Sequence, residues 1–185
     1  GTIVLLGGVI DYGEINRNLF WIRPNYVDTV YSTSDWTDVR PYYIIQRNNR
    51  AADYAWSVRM KVGDITREDA EREQLCNVYA LKSGLLFNYL FNPKQQGAGF
   101  CPANGKSKTI SRLFKNDIDS YCPSIDLWQA IAYKTLYQKE DYLYLLIDAF
   151  KFFEEGAKPP FPDLKEDSNP VLVKLKLKNG KRRYV

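Results

Sequence analysis

The first sixty residues alternate short apolar or aromatic runs with polar and proline-marked breaks, the pattern of an antiparallel sheet. Residues 2–10 form an apolar run, residues 18–23 an aromatic and apolar one, and residues 26–33 one rich in Val, Thr and Tyr. Pro24 separates the second from the third. Residues 41–47 and 52–62 flank Asn48-Asn49, a turn dipeptide. In the latter segment Tyr54, Trp56, Val58, Met60 and Val62 alternate with Ala55, Ser57, Arg59 and Lys61, so period two predicts a half-buried strand.

The period then changes. Thr66 is a good N-cap, Glu68 and Asp69 fall in the following turn, and Asp69 stands where a capping box closes. Apolar residues recur at Ala70, Leu75, Val78, Tyr79, Leu85, Leu86 and Tyr89, which predicts a helix ended by Asn92-Pro93 and weakened by Gly84. Residues 94–108 read as loop. Ser124 heads a second predicted helix over 125–138, and residues 140–155 continue as a third, stopped by Gly156 and Pro159-Pro160. Both carry wide apolar arcs: Leu127, Trp128, Ile131 and Leu136 in one, Tyr142, Leu145, Leu146, Ala149, Phe152 and Phe153 in the other. Such arcs belong in an interior.

After a proline-bearing connector, Val171, Val173, Leu175 and Leu177 alternate with Leu172, Lys174 and Lys176. Asn179-Gly180 is a type I′ turn signal, and residues 181–185 return as a second strand. The predicted fold class is therefore α+β: an N-terminal antiparallel sheet, a helical middle and a C-terminal basic β-hairpin. The predicted division is an α+β core over residues 1–157, a connector over 158–170 and the basic hairpin over 171–185.

Composition narrows this picture. With 185 residues, 45% hydrophobic and 26% charged, the chain has the material for one globular domain with a real core, which excludes a disordered polymer. No apolar run approaches the ~20 residues of a membrane helix. The run at 2–10 contains two glycines and lacks a basic leader, so it predicts neither a span nor a secretory signal. The absence of histidine removes Ser-His-Asp and Cys-His catalysis and any histidine-held zinc. Cys76, Cys101 and Cys122 are isolated from one another and form no CxxC pair, and there is no Asn-x-Ser/Thr sequon. Both points predict an intracellular, reducing compartment, or an assembly formed there.

The net charge of +4 is unevenly placed. Lys174, Lys176, Lys178, Lys181, Arg182 and Arg183 lie in the last fifteen residues with no acid among them. Setting those six aside leaves 20 basic against 22 acidic residues, so the basicity is local to the hairpin. A two-stranded ribbon of this kind can follow a phosphate backbone, although lysines also guard exposed edge strands against pairing. The loop Asp35-Trp36-Thr37-Asp38-Val39-Arg40 sets Trp36 and Arg40 together in the composition of an interface, and a flat exposed Trp36 would also suit a sugar.

Catalytic patterns fall short. Residues 100–107 resemble a phosphate loop, but Phe100 stands where its first glycine is needed to let backbone N–H groups wrap a phosphate. Arg23, Ser32-Thr33-Ser34 and Glu71-x-Glu73 follow the order of one class of ADP-ribosyltransferase motif, yet Arg23 lies only nine positions before Ser32, and the family is not assigned. Asp11 and Glu14, with Asp64, Glu68, Asp69 and Glu71, could hold Mg²⁺, with Lys61 or Lys82 as a charge partner, although acids at a helix start also suit the macrodipole. The expectation is a non-enzymatic binding or assembly protein without cofactor, metal or membrane contact. Its basic hairpin and aromatic loops would meet nucleic acid or a neighbouring subunit, as in a virion or other large complex, and oligomers are compatible with it. The alternative is a Mg²⁺-dependent nuclease or phosphotransfer enzyme working through carboxylates.

Overall fold

The computed structural model describes residues 10–47, 49–63, 66–91, 95–103, 108–110, 113–114, 125–133, 135–154 and 159–176. Four strands come first: Ile10–Asn16 (β1), Leu19–Pro24 (β2), Thr29–Thr33 (β3) and Val39–Ile44 (β4). Helix Tyr54–Val62 (α1) follows, then a 3-10 turn at Asp69–Glu71. Strands Glu73–Leu81 (β5), Gly84–Phe91 (β6), Gln95–Pro102 (β7) and Lys108–Ile110 (β8) come next, and Leu113–Phe114 (β9) and Ile125–Asp126 (β10) after them. The chain continues through helix Leu127–Ala132 (α2), strands Tyr137–Lys139 (β11) and Tyr142–Ile147 (β12), a 3-10 turn at Ala149–Phe153, and strand Val171–Leu175 (β13).

Seven strands make one sheet in the order β13-β12-β11-β1-β2-β3-β4, and four make a second in the order β5-β6-β7-β8. All pairings in both sheets are antiparallel except β1 with β11, which is parallel. β5 lies between two cores. Tyr79 and Leu81 join the cluster of Ile131, Leu136, Leu143, Leu145 and Leu175, whereas Val78 and Ala80 join that of Trp21, Val30 and Ile15. The large sheet therefore reaches around both sides of β5.

This mostly-β architecture overturns the α+β class with a helical middle. The N-terminal sheet is there, since β2, β3 and β4 overlap the predicted strands, while residues 2–9 lie outside the described set. The predicted long helix after Thr66 is instead the β5–β6 hairpin. Thr66 and Asp69 do exchange the reciprocal bonds of a capping box: Asp69 N–H donates to Thr66 Oγ1 at 3.1 Å, and Thr66 N–H to Asp69 Oδ2 at 3.1 Å. What they close is one 3-10 turn. Beyond it, β5 is buried on both faces, so its apolar residues cease to alternate and mimic a helical pattern. Gly84, the supposed helix weakness, opens β6 across the Lys82-Ser83 turn with φ at +151°.

The opposite error occurs at 52–62, where the alternation predicts a strand and the chain forms α1. Asp53 accepts the Trp56 N–H at 2.7 Å, an N-cap, and Gly63 at φ +76° supplies the left-handed residue that ends the helix. Trp56 is buried while Tyr54 and Val58 are exposed, so the period-two set shares no face. The predicted helix over 125–138 is real only over α2, capped by Asp126 on the Gln129 N–H at 3.1 Å. The predicted helix over 140–155 is the strand β12 and a 3-10 turn. Leu143, Leu145 and Ile147 face the core there, and Tyr142, Tyr144 and Leu146 face out.

Candidate functional site

Cross-strand partners share a face of a sheet. In the seven-stranded sheet, Asp11, Gly13, Ile15, Trp21, Arg23, Gln138, Leu143 and Leu145 point inward, and the register fixes what stands on the other side. Tyr31 pairs with Ile22, Ile22 with Tyr12, Tyr137 with Tyr144, and Tyr144 with Lys174. A second row runs Thr33, Phe20, Glu14, Lys139 and Tyr142. This outer face is open: Tyr12 is 75% exposed and Tyr137 62%, and Leu146 and Leu172, paired with each other, are 65% and 63% exposed. On β1, β11, β12 and β13 the face carries Lys139 and Lys174, with Lys176 just past β13 beside Tyr142, against one carboxylate, Glu14. A sheet face of this kind exceeds the scattered apolar residues of an ordinary surface.

The lysines engage the rings. Lys174 Nζ sits 3.8 Å from the Tyr142 ring centroid and 5.8 Å from that of Tyr144, and Lys176 Nζ sits 5.4 Å from Tyr142. The rings of Tyr137 and Tyr144 lie 6.3 Å apart at a tilt. β13 thus packs as an edge strand of its own sheet, with Leu175 in the core and Lys174 and Lys176 on the open face. Lys178, Lys181, Arg182 and Arg183, together with the predicted turn and return strand, lie outside the described residues.

Trp36 borders the same face at its far end. It sits in the β3–β4 loop at φ +67°, 60% exposed, and stacks on Phe20 at 6.1 Å with an interplanar angle of 19°. Asp35 Oδ1 holds the loop by accepting from the N–H groups of Thr37 and Asp38 and the Thr37 hydroxyl, and those bonds draw its carboxyl below the usual range. Arg40 is different. Its register partner Ser32 also pairs with Trp21, so Arg40 starts from the side opposite the open face and forms an exposed ion pair with Asp38. Six strand spacings separate β4 from β13, about 29 Å along the sheet. The Trp36 loop and the lysine strand are therefore two ends of one surface rather than one patch. The stretch at residues 142–144 is rich enough in tyrosine to imply outward rings from sequence, but Tyr12 and Tyr137 gave no signal, because bringing them to one place depends on the parallel β1–β11 pairing of segments more than a hundred residues apart.

The carboxylates do not converge. Asp11 is inside, in an ion pair with Arg23 at 3.0 Å, and both side chains are fully buried. Asp69 is buried at the other end of β5 with Arg59 at 2.8 Å, while Glu68 and Glu71 are exposed and Asp64 is outside the described residues. Among the described residues no three Asp, Glu or Cys side chains come together as a metal site. The same region buries Cys76, whose thiol is pushed up to about 11 by burial, which the nearby Arg23 only partly offsets.

Asp69 is held as a carboxylate by the Arg59 guanidinium first and the Thr66 N–H next, against the opposing effect of burial, and its pKa falls well below the usual range. A depressed folded pKa contributes stability that is complete above the unfolded value of about 3.9 and disappears as pH falls through the folded one. Asp69 should therefore stay ionised at pH 3, and Arg59→Gln should move its titration upward. Carboxyl ¹³C shifts followed through acid would show both; protonation of Asp69 near pH 4 in the native protein would refute the anchoring.

No helix among the described residues is long and apolar enough to cross a membrane. The sequence matches no protein-family model, and it has no significant similarity to a curated protein or to a solved structure. The functional reading rests on the chemistry of the chain itself.

Proposed function

We propose that this chain is a non-enzymatic binding protein that takes single-stranded nucleic acid on the open face of its seven-stranded sheet. The observation that supports this most is the outward row of Tyr12, Tyr137 and Tyr144 ending at Lys174. Every base has a flat π face that can stack on an exposed tyrosine ring, and each stacked base contributes about 1–3 kcal/mol. Lysines beside the rings meet the phosphates, which gives affinity without sequence preference and makes it salt-dependent. Double-stranded nucleic acid offers its bases only at groove edges, so unpaired strands suit a ring-bearing sheet better. The basic residues that follow β13 in the sequence add positive charge that favours an anionic partner. The reading is compatible with a reducing interior compartment, as the scattered cysteines and missing sequons suggest.

Fluorescence anisotropy of a labelled single strand over a salt series tests this. Tyr137→Ala and Tyr12→Ala should each weaken binding about tenfold with the fold unchanged, because both side chains are exposed. Lys174→Ala should weaken all sequences alike and lower the salt slope by about one. Absence of binding at low salt would overturn the proposal. The Leu146–Leu172 pair favours a second reading in that event, a neighbouring protein subunit seated on the same face.

A further inference from the structure

The outward row of tyrosines has a gap in it. β1 and β11 share a single paired position, Glu14 with Lys139, and towards Tyr12 and Tyr137 the two strands are no longer paired. A cavity of about 440 Å³ opens there, within the size range of small-ligand sites. Its rim is Tyr12, Phe20 and Tyr137, and it runs down to Asn77, Val78 and Tyr79 of β5. Tyr12 and Tyr137 on the rim are exposed, Phe20 is half-buried, and the floor is buried, with Asn77 at 1% exposure.

The floor holds an acceptor that no group of the fold satisfies. Asn77 Nδ2 donates to the Ile131 carbonyl at 3.4 Å, Tyr79 Oη to the Leu136 carbonyl at 3.1 Å, and Gln138 Nε2 to the Ala80 carbonyl at 2.6 Å. Thr135, also in the lining, gives its hydroxyl proton to the Ala130 carbonyl at 3.2 Å. Each of these side chains thus gives a proton to a backbone oxygen. Among the acceptors, Asn77 Oδ1 is buried with no hydrogen-bond partner, and Tyr79 Oη keeps its lone pairs. The Ile131 carbonyl fixes which end of the Asn77 amide is oxygen, since the flipped amide would set two acceptors against each other. An orphaned buried acceptor costs about 1–3 kcal/mol, so a ligand that donates to it is rewarded.

We infer that this cavity receives one nucleobase carrying an exocyclic amino group, inserted from the open face between Tyr12 and Tyr137 with its N–H directed at Asn77 Oδ1. The aromatic part of the rim suits a ring, and the orphaned Asn77 oxygen suits an amino group. Cytosine and adenine present that group at the ring edge, as guanine does, whereas uracil offers only N3–H, set between two carbonyl oxygens that would face the acceptors of the floor. The inference rests on the single-strand reading of the sheet and adds to it a preference among bases.

Binding of oligocytidylate, oligoadenylate and oligouridylate of equal length and charge, at one salt concentration, is the test. Oligocytidylate and oligoadenylate should bind about tenfold more tightly than oligouridylate. Asn77→Leu should abolish that difference while leaving oligouridylate affinity in place. Because a core substitution can prevent folding, the unaltered protein is also titrated with free cytidine and free uridine, observed through the NMR signals of the Tyr12 and Tyr137 rings. Saturable shifts with cytidine and none with uridine support the pocket. Equal affinity for all three oligonucleotides overturns the pocket and leaves the sheet reading standing. No oligonucleotide binding at all overturns the sheet reading, and the nucleoside titration then decides the pocket alone: cytidine shifts retain it as a free-nucleoside site, and their absence removes it.

Discussion

Asp11→Ala should destabilise the protein by about 3–5 kcal/mol, a cost expected when one partner of a buried ion pair is removed. The reason lies in β5. Its register against β6 shifts between Leu75 and Val78, a bulge that leaves backbone groups without partners in the ladder. Arg23 and Asp11 supply them. Arg23 Nη2 donates to the Leu75 carbonyl at 3.3 Å, and Nη1 donates to the Cys76 carbonyl at 3.4 Å and to Asp11 Oδ2 at 3.0 Å. Arg23 Nε donates to the Val27 carbonyl at 3.1 Å, and Asp11 Oδ2 also accepts the Val78 N–H at 3.2 Å. Burial lowers the pKa of the Arg23 guanidinium, and Asp11 is the chief group that holds it charged. Without Asp11, a buried cation and a buried N–H both lose their acceptor. The double variant Asp11→Ala/Arg23→Met should recover only part of the loss, because the bulge carbonyls would remain unpaired. Urea unfolding of the two variants measures this; a cost below about 1 kcal/mol for Asp11→Ala would mean that water reaches Arg23.

Gly84→Ala should cost about 3 kcal/mol, the combined size of backbone strain and overpacking. At φ +151° the residue occupies backbone space that L side chains rarely adopt, and a Cβ there would lie 2.2 Å from the Cys101 carbonyl oxygen. That oxygen belongs to β7, the neighbour of β6, so the clash meets backbone that cannot swing aside. Gly63 is the control. It also has positive φ, at +76°, but nothing lies within 4 Å of its would-be Cβ, so Gly63→Ala should cost only the roughly 1–2 kcal/mol of a left-handed residue. Thermal unfolding of the two variants side by side separates sterics from strain, and equal losses would refute the close approach of β6 and β7.

The strands that sequence patterning could find are those with one wet face or clear turn punctuation. β2, β3 and β4 are marked by Pro24 and by Val, Thr and Tyr, and β13 alternates core residues with lysines. Segments with two apolar faces were misread. β5 and β6 are lined by core on both sides, and β12 has a core side and an aromatic open side, so all three carry apolar residues at helical as well as strand spacing. In β12 the misleading residues, Tyr142, Tyr144 and Leu146, are the ones on the candidate surface. In α1 the local caps Asp53 and Gly63 outweighed a five-residue alternation, and both were readable in the sequence.

The sequence by itself determined the local matters: the absence of histidine and the chemistry that goes with it, the concentration of basic charge at the C-terminal end, the capping box at Thr66 and Asp69, and the alternation of β13. Each depends on residue identity or on neighbours a few positions apart. Tertiary structure alone decided that β1 pairs with β11, that Arg23 and Asp11 serve a bulge some fifty residues further on, and that Tyr12, Tyr137 and Tyr144 share an open face. Those outcomes depend on which distant strands meet and in what register, and a shift of one residue would turn every one of those side chains to the other face.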